Sequence, residues 1–305
     1  MTKQKIITKK QIIFEPEKYV AYMGDYIIVS DEDYAHFTHS DECLYKTAHK
    51  DFTKYDEEII SNDLFVQTFY KMSNNKKKDI DYEALIERIN DATQKAIVIG
   101  GCGRSGTTLL LSILSSHPRI EIFEETFSFY PRPMRLHKLC NQIEKTQGVW
   151  CEKTPKNIHE FKAIKKLFKN KVKLVHVVRD GRDVVTSRHP SNPNSYWVPI
   201  ERWVDDVSKG LKVKDAYIIK YEDITKDTQN ALRKLFTFLD IPFDDKILNP
   251  EFYGLNSSDA WFGKGKSINT QRIDKWKKVE HKQVIDAFMK NKNAILLLEK
   301  LRYNV

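Results

Sequence analysis

The chain has 305 residues, 41% of them hydrophobic, and a formal net charge of +9. That length suits one large α/β domain with an appended segment, or two small domains, and the apolar fraction suffices for a real core. No run of about 18 apolar residues occurs, so no transmembrane helix is expected. The opening stretch MTKQKIITKKQIIFEPE lacks the apolar core and small-residue cleavage site of a signal peptide, so the expected compartment is the cytoplasm. Four cysteines, Cys43, Cys102, Cys140 and Cys151, show no paired spacing and argue against a disulfide framework or a cysteine metal site. Charge is unevenly spread: residues 15–65 hold 13 acids against 4 lysines, so the remainder carries about +18. A basic body suits a substrate with several phosphates. Nucleic acid is the competing reading, but the lysines are scattered and no nucleic-acid module is recognisable.

Residues 1–90 form a segment of unknown role. Tyr26–Val29 reads as a short strand, Asp56–Met72 as a helix with an apolar face, and Asp81–Ala92 as a helix leading inward. The centre of the chain is KAIVIGGCGRSGTTLLLS, residues 95–112. An apolar β-branched run, Ala96–Ile99, precedes a glycine-rich turn, and Thr107, Thr108 and three leucines follow at helical spacing. Strand, loop and helix start together aim backbone N–H groups and a positive helix end at one point, where a phosphate fits. Gly101 to Gly106 keeps the G-x-x-x-x-G spacing of a phosphate loop, but Thr107 stands where a kinase or ATPase has its lysine. A bare glycine turn in a Rossmann-like sheet is the bland alternative.

Gly103-Arg104-Ser105-Gly106-Thr107-Thr108-Leu109-Leu110 resembles the 5′-phosphosulfate loop of sulfotransferases that use 3′-phosphoadenosine 5′-phosphosulfate (PAPS). Within that superfamily it is most similar to the branch of tyrosylprotein and bacterial sulfotransferases. The resemblance covers roughly residues 95–280 and implies a P-loop-like three-layer α/β fold with a central parallel sheet flanked by helices. It implies a sulfotransferase domain over 91–305, with PAPS as donor and its desulfated form, PAP, as product. It also implies that Gly103, Arg104, Ser105, Gly106, Thr107 and Thr108 hold the 5′ end.

His117-Pro118 closes the first helix, and Arg119–Glu125 reads as the next strand. It ends in Glu124-Glu125-Thr126, and by the resemblance Glu125, 21 residues after Arg104, is the general base. A hydroxyl acceptor must lose a proton as it attacks sulfur, and a partly desolvated carboxylate suits that task. A helix N-cap acid is the other reading of one of the pair. Phe127–Thr146 reads as largely helical, and Gly148–Glu152 as a third strand leading to Lys153-Thr154-Pro155. By resemblance Lys153 faces the bridging oxygen, where a cation stabilises charge moving onto the leaving phosphate. An ordinary solvent lysine is the alternative. Glu152 and Asn157 are candidates to orient it.

Asn157–Asn170 reads as an amphipathic helix with Phe161, Ile164, Leu167 and Phe168 inward. Val172–Val178 is a buried strand, followed by the turn RDGRDVVTS. Arg179, with Ser187 eight residues on, resembles the family's 3′-phosphate site, where a guanidinium forks onto phosphate and a hydroxyl adds a donor. Asp180, Arg182 and Asp183 read as local ion pairs, and His176 as a core histidine. Arg188–Val198 reads as a loop, Ile200–Leu211 as a helix bearing Trp203, and Ala216–Lys220 as a strand. Tyr221 is similar to a family tyrosine near the nucleotide; a purely structural tyrosine is the alternative. Asp227–Asp240 reads as a helix. In the basic stretch beyond residue 252, Lys266, Ser267, Arg272 and Lys275 are candidates to cover the cofactor, by analogy with a C-terminal loop in relatives. Val279–Leu301 reads as one final helix.

The chemistry implied is in-line sulfuryl transfer to a small-molecule hydroxyl, needing no metal ion. Tyrosine, carbohydrate and nitrogen acceptors are alternatives, as are a P-loop kinase and a catalytically silent PAP-binding module. The acidic, aromatic-rich 15–65 segment could close over the site and favour a cationic acceptor such as a guanidinium or amine natural product; a solvated acidic face is the plainer reading.

Overall fold

The computed structural model describes residues 5–6, 19–22, 25–28, 82–124, 136–189, 192–249 and 272–305. The chain divides into two compact units, residues 1–89 with 128–141, and residues 90–127 with 142–305. In the first, β1 (Lys5–Ile6), β2 (Tyr19–Tyr22) and β3 (Asp25–Ile28) form an antiparallel sheet in the order β1-β3-β2. The helix expected over Asp56–Met72 lies outside the described residues.

The second unit is built on a five-stranded sheet whose order is β10-β7-β4-β6-β5, with every pair parallel. Its strands are β4 (Lys95–Gly101), β5 (Ile120–Glu124), β6 (Val149–Lys153), β7 (Val172–Val178) and β10 (Tyr217–Lys220). A short antiparallel pair, β8 (Arg188–His189) and β9 (Asn192–Tyr196), lies between β7 and β10 in sequence. Across both units, the helices among the described residues are, in chain order, α1 (Tyr82–Ala92), α2 (Thr107–Leu114), α3 (Leu136–Ile143), α4 (Phe161–Phe168), α5 (Gly181–Val185), α6 (Ile200–Leu211), α7 (Tyr221–Lys226), α8 (Thr228–Leu239), α9 (Lys282–Lys290) and α10 (Lys292–Lys300), with α1 and α3 lying mostly in the first unit.

Parallel strands covered on both faces need near-continuous apolar runs, and β4 and β7 supply them. Alternate residues then face opposite layers. Ile97, Ile99, Cys151, Val175 and Val177 pack with Leu110, Leu111 and Leu114 of α2 and Leu232, Leu235 and Phe236 of α8. At the end of β7 and in the turn and helix after it, Val178, Val184 and Val185 pack with Trp203 and Val207 of α6, Phe288 of α9 and Leu298 of α10. The sheet is therefore the middle of three layers, as the sequence implied. The chain leaves β4 toward β5 and β6 on one side and returns to β7 on the other. This order reversal puts a crevice at the carboxyl end of β4, where open α/β sheets bind ligands.

Three local expectations differ from the structure. Residues 155–159 form a 3-10 turn before α4 instead of a continuous helix, because Pro155 starts the turn and the buried Asn157 amide is spent on the Glu152 carboxylate. Within the stretch expected to be a loop, Arg188–His189 pairs with Asn192–Tyr196, with Arg188 opposite Tyr196 and its guanidinium 4.2 Å from that ring's centroid. Its Asn, Pro and Ser residues favour turns locally, and the cross-strand contact outweighs that preference. The final helix is two helices, because Asn291 adopts an extended backbone and caps α10 by accepting from the Ala294 N–H at 3.1 Å.

Candidate functional site

The loop after β4 is shaped by close approaches. A Cβ on Gly101 would lie 2.4 Å from the Val177 carbonyl oxygen, so β4 and β7 can approach there only without a side chain. Gly106, at φ +95°, caps α2, and a Cβ on it would lie 2.5 Å from the Tyr221 ring. Arg104 also holds a left-handed backbone, at φ +71°, a conformation that bulky residues adopt at a cost. The first-turn N–H groups of α2 have no intrahelical partner, and they open onto this loop. Ser105 is fully buried, yet its hydroxyl has no hydrogen-bond partner among the described residues; the buried Nε atoms of Arg104 and Arg179 share that condition. Donors without acceptors around a glycine loop fit a polyanion; Arg104 and Ser105 lie in the stretch expected to hold the 5′ end of PAPS, and Arg179 is the residue expected at the 3′-phosphate.

Arg179 sits at the end of β7, 6% exposed, and braces the loop by donating from Nη1 to the Arg104 carbonyl at 3.1 Å. Its guanidinium lies 4.5 Å from the Tyr221 ring centroid, and Asp183 Oδ2 is 3.6 Å from Nη2. Tyr221 opens α7 and is 5% exposed, so one ring touches both the loop at Gly106 and the cation at Arg179. Burial raises its phenol above the ordinary range, against Arg179 and Arg272, so the ring stays neutral. Ser187 is half-buried, and its hydroxyl donates to the Asp183 carbonyl at 2.7 Å. In this conformation it offers a phosphate lone pairs and no proton, and the predicted donor role requires the hydroxyl to rotate.

Lys153 ends β6 and is 3% exposed. Backbone register sets it opposite Ile99 of β4 and Glu124 of β5, on the strand parity of Val149 and Cys151, which face α2. Glu152, on the opposite parity, accepts from Thr154 Oγ1 at 2.6 Å and from the Asn157 amide. These contacts fix the turn that follows Lys153. Glu125 and Ser267 lie outside the described residues.

The C-terminal basic stretch is tied to the same crevice from residue 272 onward. The buried Asp183 carboxylate accepts the backbone N–H groups of Asp274 and Trp276, each at 3.0 Å, and Arg179 Nη2 donates to the Arg272 carbonyl. Burial pushes the Asp183 carboxyl up, while Arg179 and the two N–H groups oppose it. Lys275 is exposed and its ammonium is held below the ordinary range, first by desolvation and then by Arg272, Lys278 and Arg179. Arg104 is depressed in the same way, by burial and then by Arg272 and Arg179. Cations that depress one another mark a place that gains from an anion. Hydrogen bonds to a charged acceptor are worth about 1.5–3 kcal/mol each, so Asp183→Ala should release the 272–278 stretch. Limited trypsinolysis should then cut at Lys275, Lys277 and Lys278 roughly tenfold faster than in the wild type; an unchanged cleavage rate would contradict the clamp.

Several charged groups near the loop escaped motif reading. On α6, Asp206 is 2% exposed, accepts from His159 at 2.6 Å and lies 3.5 Å from Arg202 Nε. Burial pushes its carboxyl up, but the His159 hydrogen bond and charge, with Arg202, more than offset this and leave it low. His159, Asp205 and Asp206 bring one donor atom each within 4.8 Å of one another, and the Arg202 guanidinium already neutralises that corner. Lys156 is half-buried, and its ammonium falls to about 8 through burial and the nearby Arg202. Cys102 is fully buried, and burial raises its thiol, so it is an inert small loop residue.

His176 is the core histidine the sequence suggested. It is fully buried against Gly210, where a Cβ would come within 2.3 Å of the imidazole, and burial lowers it to about 4. An unfolded histidine titrates near 6.5, so below that pH the unfolded chain binds the extra proton first and stability falls until about pH 4. Glu160, raised by burial to about 8, contributes the opposite slope, with stability falling as pH rises above about 4.5. Thermal midpoints across pH 4–8 should show the acid-side loss shrinking in His176→Gln and the alkaline-side loss shrinking in Glu160→Gln. Identical profiles in all three proteins would contradict both assignments.

Comparison with known proteins identifies the family. The family described as "Sulfotransferase domain" matches residues 94–292. A protein-tyrosine sulfotransferase A of Caenorhabditis elegans is 26% identical over 207 residues, covering 52% of this chain and 53% of that protein. A protein-tyrosine sulfotransferase of Drosophila melanogaster is 25% identical over 236 residues, covering 59% and 46%. The chain thus spans about half the length of these curated relatives. Among solved structures, the sulfotransferase domain of the Synechococcus PCC 7002 olefin synthase matches at TM-score 0.48 and 18% identity, over 69% of this chain and 95% of that one. A mouse sulfotransferase complexed with PAP matches at TM-score 0.48 and 16% identity, over 71% and 93%.

Proposed function

This chain belongs to the sulfotransferase domain family, and from that premise we propose that it moves the sulfuryl group of PAPS to a hydroxyl acceptor. The observation that carries the reading is the set of buried donors around the glycine loop that have no acceptor among the described residues, Arg104 Nε, Ser105 Oγ and Arg179 Nε, with Thr107 in place of a kinase lysine. PAPS brings the sulfuryl group and two further phosphates. Gly103, Arg104, Ser105, Gly106, Thr107 and Thr108 hold its 5′ end through backbone N–H groups and side-chain donors. Arg179 and Ser187 take the 3′-phosphate, Tyr221 lies beside both ends, and Lys275 and Ser267 cover the bound nucleotide. Lys153 and Arg104 stabilise charge that gathers on the leaving phosphate, and Glu125 accepts the acceptor's proton. Support for Glu125 comes from register: β5 ends at Glu124, opposite Lys153. Fixed cations suffice for this chemistry without a metal ion.

The acceptor proposed is a small-molecule hydroxyl, and cytoplasmic action belongs to the same reading. A tyrosine side chain is the second reading, favoured by the two tyrosine-sulfotransferase relatives. The proposed division leaves 1–90 as a separate segment and 91–305 as the transferase domain; most of the acidic 15–65 stretch lies outside the described residues. Titration calorimetry tests the nucleotide class. PAP should bind in buffer free of divalent metal, and ATP with magnesium should bind far more weakly. Tight ATP–magnesium binding with phosphoryl transfer would replace this reading with a kinase.

A further inference from the structure

One cation at the loop has no part in the functions assigned above. Arg202 stands in the first turn of α6, its side chain 23% exposed. A Cβ on Gly103 would lie 3.3 Å from Arg202 Nη2, so the guanidinium rests directly against the glycine loop. Trp197 is near two guanidiniums, with Arg202 5.6 Å and Arg104 6.0 Å from its ring centroid. The Arg202 Nε is buried and has no hydrogen-bond partner among the described residues, the same condition as Arg104 and Arg179. Its carboxylate neighbour Asp206 Oδ2 sits at 3.5 Å, within ion-pair range, and Asp206 Oδ1 is engaged by His159 at 2.6 Å. The loop therefore meets cations on two sides, Arg179 toward Gly106 and Tyr221, and Arg202 toward Gly103 and Trp197.

We propose that Arg202 is a cofactor-binding residue for the 5′-phosphosulfate end, and that Asp206 and His159 are positioning residues that hold its guanidinium at Gly103. The proposal deepens the PAPS reading and rests on it. A guanidinium fixed from behind by a buried carboxylate loses little freedom on meeting an anion, and its fork suits a phosphate or sulfuryl oxygen pair. The competing role for Arg202 is that of a counter-ion to Asp206 alone. The two differ in which end of the nucleotide feels its loss.

The test is calorimetric binding of two nucleotides to the full chain: PAP, and adenosine 3′-phosphate, which lacks the 5′ group. Arg202→Gln should weaken PAP by about tenfold or more and leave adenosine 3′-phosphate within about twofold of the wild type, the loss of one charge-assisted fork. Arg179→Ala should weaken both. Asp206→Asn should shift PAP in the direction of Arg202→Gln and again spare adenosine 3′-phosphate. Arg202→Lys keeps a charge and most of the stem, so it carries the same comparison if the glutamine variant does not fold. Unchanged PAP affinity in the Arg202 variants overturns the proposal, as does an equal loss for both nucleotides. A wild type that binds neither nucleotide overturns the cofactor reading itself, and the role of Arg202 with it.

Discussion

Glu125→Ala should reduce acceptor-dependent sulfuryl transfer by about 10²- to 10⁴-fold, the usual contribution of a positioned general base. PAP affinity should stay close to that of the wild type, because Glu125 acts on the acceptor and not on the nucleotide. Glu125→Gln should behave alike, since an amide cannot take a proton at neutral pH. Steady-state rates on both variants, paired with PAP calorimetry, separate this role from a structural one. A helix-capping acid would lose stability and leave the rate per folded molecule nearly intact. That outcome would move the base to another residue at the carboxyl end of β5 or β6.

Arg179→Ala should have the largest effect on nucleotide binding. The side chain is charged and nearly buried, and it does three things at once: it braces Arg104 through its carbonyl, stacks on Tyr221, and donates to the Arg272 carbonyl. Charge-assisted hydrogen bonds are worth about 1.5–3 kcal/mol each, so losing the contacts to one phosphate should weaken PAP by roughly 10- to 100-fold. The buried Asp183 would be left without its cation at 3.6 Å, so a lower thermal midpoint should accompany the binding loss. Arg179→Lys should recover part of the stability and little of the affinity, because an ammonium cannot fork onto a phosphate while reaching Arg104. Equal PAP affinity in the wild type and Arg179→Ala would remove the 3′-phosphate site from this crevice.

The frame of the molecule was readable because its signals are local. β4 and β7 announce themselves as apolar β-branched runs, and the glycine spacing of residues 101–106 dictates a tight loop wherever the rest of the chain goes. Arg179 directly follows one of those runs, and its proposed role comes from the family resemblance and not from a local pattern. The contacts that complete the site join residues far apart in sequence, which no local pattern encodes. Tyr221 reaches Gly106, and Asp206 reaches His159 across 47 positions. Ser187 had the right spacing, but its hydroxyl bonds to the carbonyl of Asp183, a choice that depends on rotamer and not on sequence. The break at Asn291 did carry a signal: asparagine is a preferred N-cap residue, and apolar periodicity alone passed over it. The paired strands Arg188–His189 and Asn192–Tyr196 carried the opposite signal, turn-forming residues held in a ladder by Arg188 and Tyr196.

The most direct measurement is PAP formation from PAPS by the full chain, followed with a panel of phenolic, sugar, amine and tyrosyl-peptide acceptors and with the sulfated product identified by mass. The account predicts PAP release that requires an acceptor, a product heavier by one sulfuryl group on oxygen, and loss of both signals in Glu125→Ala. Tight PAP binding with no sulfated product from any acceptor class would contradict it, leaving a protein that holds the nucleotide without using it.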